Sequence, residues 1–397
     1  MFTKFRIRNF RTHIDTEIEV KDLTLLIGSN NSGKTNLLEG LRFFSEILAE
    51  GNQKVTQQTF FEHIRRLSMR PSISFYCDWE GTDDSQEFVF MIQYHLTLSC
   101  FKDEMIHNEK LLIKMLDIYN TNGESEETLE NKNNSYFSLQ EEMLNDEKYQ
   151  KFHNGISSFF HELTRFQYFH FQPLALKSSN ELRYKENTFD KLDAEGYYFI
   201  PFLKKLQKEE HNSPLYNKLI SLIRRFENSF IGFQINEESQ ILWQFDMGDD
   251  NYPAFTTDKV SDGLLKAAAV ALLCTIKNKH SIIMLEEIEN GINQKKLAEF
   301  LKWLRLASKN HGTQFILTSH SPSVIREFAD KLDCVYNVHL KKKKGYVSDV
   351  VNLSEALKPL VKFGAIKEEE VEERNGVIHL RPHTLTELFY NGVLAEL

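Results

Sequence analysis

Cysteine is scarce in this chain. The four present, at positions 77, 100, 274 and 334, are far apart and form no C-x-x-C pair. That excludes a disulfide framework and a cysteine-based zinc site, and the four read as small core residues. Long apolar runs are absent as well: none approaches the roughly 18 residues needed to cross a bilayer. The opening Met1-Phe2-Thr3-Lys4-Phe5-Arg6 has no signal-peptide core, so a cytoplasmic protein without membrane contact is expected. Positive charge is in deficit, with 48 Lys and Arg against 57 Asp and Glu and a formal net charge of −9. Affinity for nucleic-acid backbones comes mainly from clustered Lys and Arg, so a surface built throughout to wrap DNA or RNA is excluded. A nucleic-acid partner would need a local basic patch. The densest run, Lys341 to Lys344, lies between strand-like 335–340 and 346–351 and reads as a solvated hairpin tip in preference to a DNA contact. There is no internal repeat, and no heptad pattern lasts long enough for extended coiled-coil arms.

What is present is a soluble, globular composition, 41% hydrophobic and 26% charged over 397 residues, enough for one large domain or two ordinary ones. Its most informative stretch is the apolar run Leu23 to Ile27 leading into Gly28-Ser29-Asn30-Asn31-Ser32-Gly33-Lys34-Thr35, the pattern G-x-x-x-x-G-K-[ST]. Glycines let such a loop fold tightly enough for successive N–H groups and the next helix start to converge on phosphates. Lys34 then reaches the outer phosphates and the Thr35 hydroxyl joins a Mg²⁺ shell. The residues after it, apolar at 37, 38, 41 and 44, have helical spacing. A nucleoside triphosphate with Mg²⁺ is therefore the expected ligand, with Gly28, Asn30, Asn31, Ser32, Gly33, Lys34 and Thr35 as the cradle.

Around this loop, Phe5 to Arg11 and Thr16 to Val20 alternate as paired strands, and further strands are expected at Ser72 to Trp79, Glu87 to Leu98 and Lys110 to Lys114. Residues 117–134 are polar and acidic and read as a mobile surface loop. Residues 138–165 and 190–230 have helical spacing, a compact lid at most. Alternating residues follow at Ile235 to Phe245, then a helix at Gly263 to Lys277. Strand, helix and strand at Ser281 to Leu285, Lys295 to Ser308 and Gln314 to Thr318 read as a crossover in a parallel sheet.

Four later features complete a candidate site. The strand before Glu286-Glu287 ends in two adjacent carboxylates that can point different ways, Glu286 towards Mg²⁺ and Glu287 towards a water in line with the γ phosphate. A second apolar strand ends in Ser319-His320-Ser321-Pro322, where His320 can polarise the γ phosphate. Val260-Ser261-Asp262-Gly263 offers Ser261 and Gly263 at a helix start, a natural anion site. Glu289-Asn290-Gly291-Ile292-Asn293 forms a turn after the carboxylates. Singly, each is an ordinary turn or cap; their order is what carries information.

That ordered set resembles the ABC-type ATPases of the RecF, SMC and OLD group, in particular the short AAA_15/AAA_21-like proteins without a TOPRIM domain. The resemblance spans nearly the whole chain, from Ile7-Arg8-Asn9-Phe10-Arg11 to the closing Glu387 to Leu394. It implies an α/β fold: an ABC-type P-loop NTPase head with a mixed-sheet core, an antiparallel β lobe and a helical lid insertion. The divisions it suggests are residues 1–115 as the N-terminal ATPase lobe with the Walker A loop, 116–255 as the insertion with linking strands, and 256–397 as the C-terminal lobe with signature, Walker B and switch His. It further implies that two copies sandwich ATP, Ser261 and Gly263 of one meeting the γ phosphate held by Lys34 of the other. The catalytic residues are then Glu287 as general base, His320 and Lys34, with Thr35 and Glu286 at the metal. The chain departs from the pattern at Glu286, where aspartate is usual, at Ile288 for proline and at Asn293 for histidine, so slow turnover is expected. Gln57, Gln58, Gln167 and Gln172 are all candidates for the glutamine that links the γ phosphate to the lobe.

Nuclease members of that group carry a TOPRIM unit with an Asp-x-Asp cluster for metal-assisted cleavage. The residues after His320 contain none, and Glu368 to Glu373 reads as a solvated helix face. The expectation is an ATPase that acts as sensor or scaffold for a separate effector, a nuclease or toxin, in bacterial anti-phage defence. The alternatives are a RecF-like repair ATPase binding DNA directly and a non-hydrolysing module that uses ATP to join subunits.

Overall fold

The computed structural model describes residues 1–50, 72–83, 86–101, 104–118, 124–134, 139–178, 192–209, 213–276, 282–341 and 346–396. Its N-terminal half is dominated by an antiparallel sheet. Strands β1 (Phe2–Phe10) and β2 (His13–Glu19) form the first hairpin, and β3 (Leu23–Ile27) leads through the glycine loop into helix α1 (Lys34–Glu50). Strands β4 (Ser72–Thr82), β5 (Phe88–Phe101), β6 (Glu104–Asp117) and β7 (Glu124–Asn134) extend the hairpin into a six-stranded sheet ordered β2-β1-β4-β5-β6-β7. Its inner face is formed by every second residue, among them Phe5, Ile7, Phe75, Cys77, Tyr94, Leu96, Leu111 and Ile113, all buried.

Strand β7 corrects the loop expected at 117–134. The segment pairs antiparallel with β6 in the register Leu111↔Leu129 and Lys114↔Glu126. Its polarity marks an edge strand: Leu129 turns inward, while carboxylates face out and Lys114 bridges Glu126 at 2.8 Å. Charge on an edge strand discourages pairing with another chain, so an acidic composition is compatible with β structure.

Beyond the sheet, α2 (Leu139–Asn145) and α3 (His153–Leu163) lead to the short strand β8 (Gln167–Phe169) and helix α4 (Pro173–Leu176). Helices α5 (Phe199–Glu209) and α6 (Pro214–Phe226) precede a three-stranded antiparallel sheet of β9 (Phe230–Ile235), β10 (Ile241–Phe245) and β11 (Ala254–Thr256). Residues 116–255 thus supply an edge strand to the first sheet and β8 to the central one, besides the helices expected of them. Next come α7 (Asp262–Thr275), β12 (Ile282–Leu285), α8 (Leu297–His311) and β13 (Gln314–Ser319), then the hairpin β14 (Val335–Lys341) and β15 (Val347–Asn352). The central sheet is ordered β15-β14-β3-β13-β12-β8, parallel except for β15. Glu368–Glu370 is a 3₁₀ turn and Val371–Arg374 a strand paired with Val377–Leu380, which replaces the helix face expected at 368–373.

The central sheet is buried on both faces, and period-two alternation divides its side chains between two cores. Leu26, Ile282, Met284 and Ile316 pack towards the antiparallel sheet and α1; Leu25, Ile27, Ile283, Leu285, Phe315 and Leu317 pack towards α4 to α8. Helix α7 is buried around almost its whole circumference, including Lys266. Among the described residues no helix is long and apolar enough to cross a membrane.

Candidate functional site

The carboxyl ends of parallel strands are where an open α/β sheet presents its ligands, and β3, β12, β13 and β8 end together here. The loop after β3 requires its glycines. Gly28 has φ +144° and a Cβ there would lie 2.1 Å from the Val338 carbonyl; Gly33 has φ +110° and a Cβ there would lie 2.0 Å from Ser348 Oγ. Asn31 also adopts a left-handed conformation, φ +65°.

The loop is held from behind by the tip of the first hairpin and by β15. His13 is fully buried, with Nε2 3.0 Å from the Gly33 carbonyl and Nδ1 2.9 Å from Thr16 Oγ1. Burial pulls its pKa down to about 4, so the ring is neutral, and because a carbonyl only accepts, Nε2 carries the proton. Ser348 Oγ lies 2.7 Å from both the Ser32 carbonyl and Thr12 Oγ1, and Asn36 donates to Thr12 at 2.9 Å. Lys34 Nζ donates to the carbonyls of Gly28 (2.8 Å) and Ser29 (2.9 Å). Its burial lowers the ammonium pKa, against the opposing pull of Glu286, Glu287 and Glu289.

Opposite the loop stand the carboxylates, across a cavity of about 220 Å³ lined by residues 30–36, Glu286, Glu287, Thr318, Ser319 and His320. Glu286 is buried at the end of β12, its backbone N–H donating to the Phe169 carbonyl of β8 at 2.9 Å. One carboxylate oxygen accepts from the Thr35 hydroxyl and the other from the Tyr168 hydroxyl, with His170 Nδ1 3.5 Å away. Burial, then the bond to Glu286, drives the Tyr168 pKa well up and keeps that hydroxyl a donor. The glutamate that replaces the usual aspartate is thereby given partners on both sides. Glu287 turns out of the strand in a left-handed conformation, φ +48°. Its N–H donates to Thr318 Oγ1 (2.9 Å), its carboxylate accepts from the Asn290 amide, and its carbonyl accepts from Asn290 N–H (3.0 Å) and from Lys266 Nζ (2.6 Å). His320 faces Glu289, whose Oε1 accepts the His320 N–H at 2.9 Å and lies 3.2 Å from its Nδ1.

Ser261 and Gly263 do not line this cavity. Ser261 is exposed and caps α7, accepting the Leu264 N–H at 3.3 Å, while Lys177 meets Asp262 at 2.6 Å. Gly263 is buried, and a Cβ on it would lie 2.1 Å from the Gly291 carbonyl. The glycine is thus required within the chain by close packing, as well as being a candidate anion contact.

Of the glutamines considered, Gln57 and Gln58 lie outside the described residues, as do Lys342 to Lys344. Gln167 sits opposite Ile283, two residues before the end of β8, and Gln172 is exposed with its N–H on the Glu195 carbonyl at 2.9 Å. The side chains from this segment that reach the carboxylates are Tyr168, on Glu286, and His170, with Nδ1 towards Glu286 and Nε2 3.6 Å from Glu287. Sequence reasoning missed both, together with His13 and Lys266. A histidine directly after the three-residue strand Gln167-Tyr168-Phe169 was the available signal, but β8 is too short for periodicity to identify. Lys266 was hidden by its charge: a lysine in a helix is ordinarily a solvated residue.

Comparison with known proteins agrees with this architecture. The model of the family AAA_21, described as "AAA domain, putative AbiEii toxin, Type IV TA system", matches residues 23–326. No curated protein matches the sequence. Among solved structures, an SMC head bound to the C-winged helix domain of ScpA aligns with a TM-score of 0.50 at 11% identity, covering 89% of this chain and 99% of that one. The SMC head domain from Thermotoga maritima aligns at 13% identity over 88% of this chain and 98% of that one, with a TM-score of 0.39. An Smc head with an extended coiled coil, bound to the C-terminal domain of ScpA and derived from Pyrococcus furiosus, aligns at 11% identity over 91% and 99%, with a TM-score of 0.41. The chain belongs to the AAA_21 family of P-loop ATPases and has the ABC-type fold of an SMC head.

Proposed function

We propose that this protein binds ATP with Mg²⁺ and hydrolyses it slowly, within a sandwich of two copies, to control a separate effector protein. The observation that carries the reading is the convergence of Lys34, Thr35, Glu286 and Glu287 on one cavity of about 220 Å³ at the sheet's carboxyl end. The residues suit the cofactor chemically. Main-chain donors of a tight glycine loop and a buried ammonium suit phosphates. A threonine hydroxyl hydrogen-bonded to a buried carboxylate is an oxygen pair suited to Mg²⁺, and Thr35 and Glu286 would hold it. When bound, the ion neutralises charge on the phosphate oxygens.

The chain's own groups divide the remaining work. Lys34 exchanges its two loop carbonyls for phosphate oxygens. Glu287 Oε2, released from Asn290, accepts a proton from the attacking water, and His320, held by Glu289, orients at the cavity mouth. Ser261, exposed outside this cavity, is free to meet the nucleotide of a second copy, with Gly263 buried just behind it at the helix start. The AAA_21 description names a toxin of a toxin-antitoxin system, and this supports a role beside a toxin-type effector, which we place in anti-phage defence. A second reading, ATP as a non-hydrolysed link between subunits, draws on the engagement of Glu287 with Asn290 and His170.

Steady-state turnover measured against protein concentration tests the proposal. The expected result is a rate per subunit that rises with concentration and falls by about 10²-fold or more in Lys34→Ala and Glu287→Gln, nucleotide binding surviving only in the latter. Turnover that survives Glu287→Gln would remove that residue as the base.

A further inference from the structure

The signature helix and the catalytic turn are joined by two contacts that the proposed reaction does not itself use. Gly263 and Lys266 are three residues apart on α7 and therefore share a face. Gly263 meets the Gly291 carbonyl with no room for a methyl group, and Lys266 Nζ donates to the Glu287 carbonyl at 2.6 Å. Lys266 is buried, so this bond is shielded from competing water. The turn they grip is not a relaxed one. Glu287 holds φ +48°, a conformation costly for a residue with a side chain, which persists only where the surroundings impose it. From the same turn, Glu289 accepts the His320 N–H.

We infer that Lys266 is a positioning residue that transmits the state of the signature helix to the Glu287 to Gly291 turn, so that engagement of Ser261 by a second copy's nucleotide sets Glu287 and His320 for hydrolysis in its own site. The inference rests on the two-copy reading above, but its first part, the hold on the turn, is independent of it. Lysine fits the task because its ammonium reaches a carbonyl from a helix one layer away while its stem packs in the core. A helix moved at its N-terminus carries a group one turn further along with it as a rigid body, and such packed units are what transmit coupling.

Hydrogen–deuterium exchange of residues 286–292 in Lys266→Met and Lys266→Gln tests both parts. Without nucleotide, Lys266→Met is expected to speed exchange in this turn by about tenfold, and Lys266→Gln, which keeps a donor, by less. With a non-hydrolysed ATP analogue and Mg²⁺, wild-type pairing slows exchange there, whereas in Lys266→Met pairing persists and the slowing disappears. Turnover in Lys266→Met falls by roughly tenfold with nucleotide affinity within about twofold of wild type. Exchange and turnover both within about twofold of wild type would overturn the inference. So would an equal loss of nucleotide affinity and turnover in both variants, which marks a purely structural residue. If the wild type pairs but does not hydrolyse ATP, the hydrolysis reading fails and exchange alone decides the role of Lys266; if it does not pair, the two-copy reading fails and the nucleotide-free exchange still decides whether Lys266 holds the turn.

Discussion

The two walls of the cavity are built by different means. The phosphate-loop wall is main chain, drawn from eight consecutive residues and backed by small polar groups of Thr12, His13 and Ser348. The carboxylate wall is side chain, assembled from β8, β12, β13 and α7, with Glu287 in a left-handed conformation tied by Thr318, Asn290 and Lys266. A wall of main chain depends on which residues lack side chains; a wall of side chains depends on what holds each one. The first is therefore vulnerable to added atoms and the second to lost hydrogen bonds.

That contrast is sharpest at Gly28. Gly28→Ala places a Cβ against the Val338 carbonyl, a main-chain atom that cannot swing aside, and does so at φ +144°. The expected cost is about 2–4 kcal/mol of unfolding free energy together with loss of nucleotide binding, read from urea unfolding and from titration with ATP. A stable, ATP-binding Gly28→Ala would remove the steric basis assigned to this wall.

The support behind the loop gives a pH signature. Folding holds His13 neutral, its pKa lowered to about 4 from an ordinary 6.5, because burial penalises the charged ring and outweighs the opposing bond to the Gly33 carbonyl. The unfolded chain takes that proton first as pH falls, so the stabilisation is complete above pH 6.5 and is lost as pH drops towards 4. From pH 7 to pH 5 the loss from this one group is about 2 kcal/mol. Urea midpoints at the two pH values should show a smaller drop in His13→Gln than in the wild type. Buried His107 and part-buried His95, also pulled down to about 4 by burial, leave a residual slope of the same sign.

The smallest effect lies in the carboxylate wall. Tyr168→Phe removes one of the two hydroxyls on Glu286 and leaves Thr35 in place. Losing one such bond should cost about 1 kcal/mol of transition-state stabilisation, roughly fivefold in turnover, with stability nearly unchanged. A loss as large as that in Glu287→Gln would mean that the two carboxylates do not act separately.

The same contrast explains what could be read from the chain. Residues 28–35 carry their own meaning, because a loop that binds through its backbone must write its conformation in glycine and in the lysine and threonine that follow. The hairpin strands expected at 5–11 and 16–20 were legible from alternation, which burial on one face imposes, and the strands at 282–285 and 314–319 and helix α7 from apolar runs, which burial on all sides imposes. Segment 124–134 was misread because edge strands favour the charge that also marks loops. His170, Tyr168, His13 and Lys266 stayed hidden because each is defined by a partner that is remote in sequence, Lys266 by a carbonyl 21 residues away and Tyr168 by a carboxylate 118 residues away. The sequence alone therefore determined the nucleotide loop, the order of the motifs and most elements around them. Only the tertiary structure decided which side chains meet Glu286 and Glu287, because hydrogen bonds between distant segments leave no local pattern until the sheet brings four strand ends together.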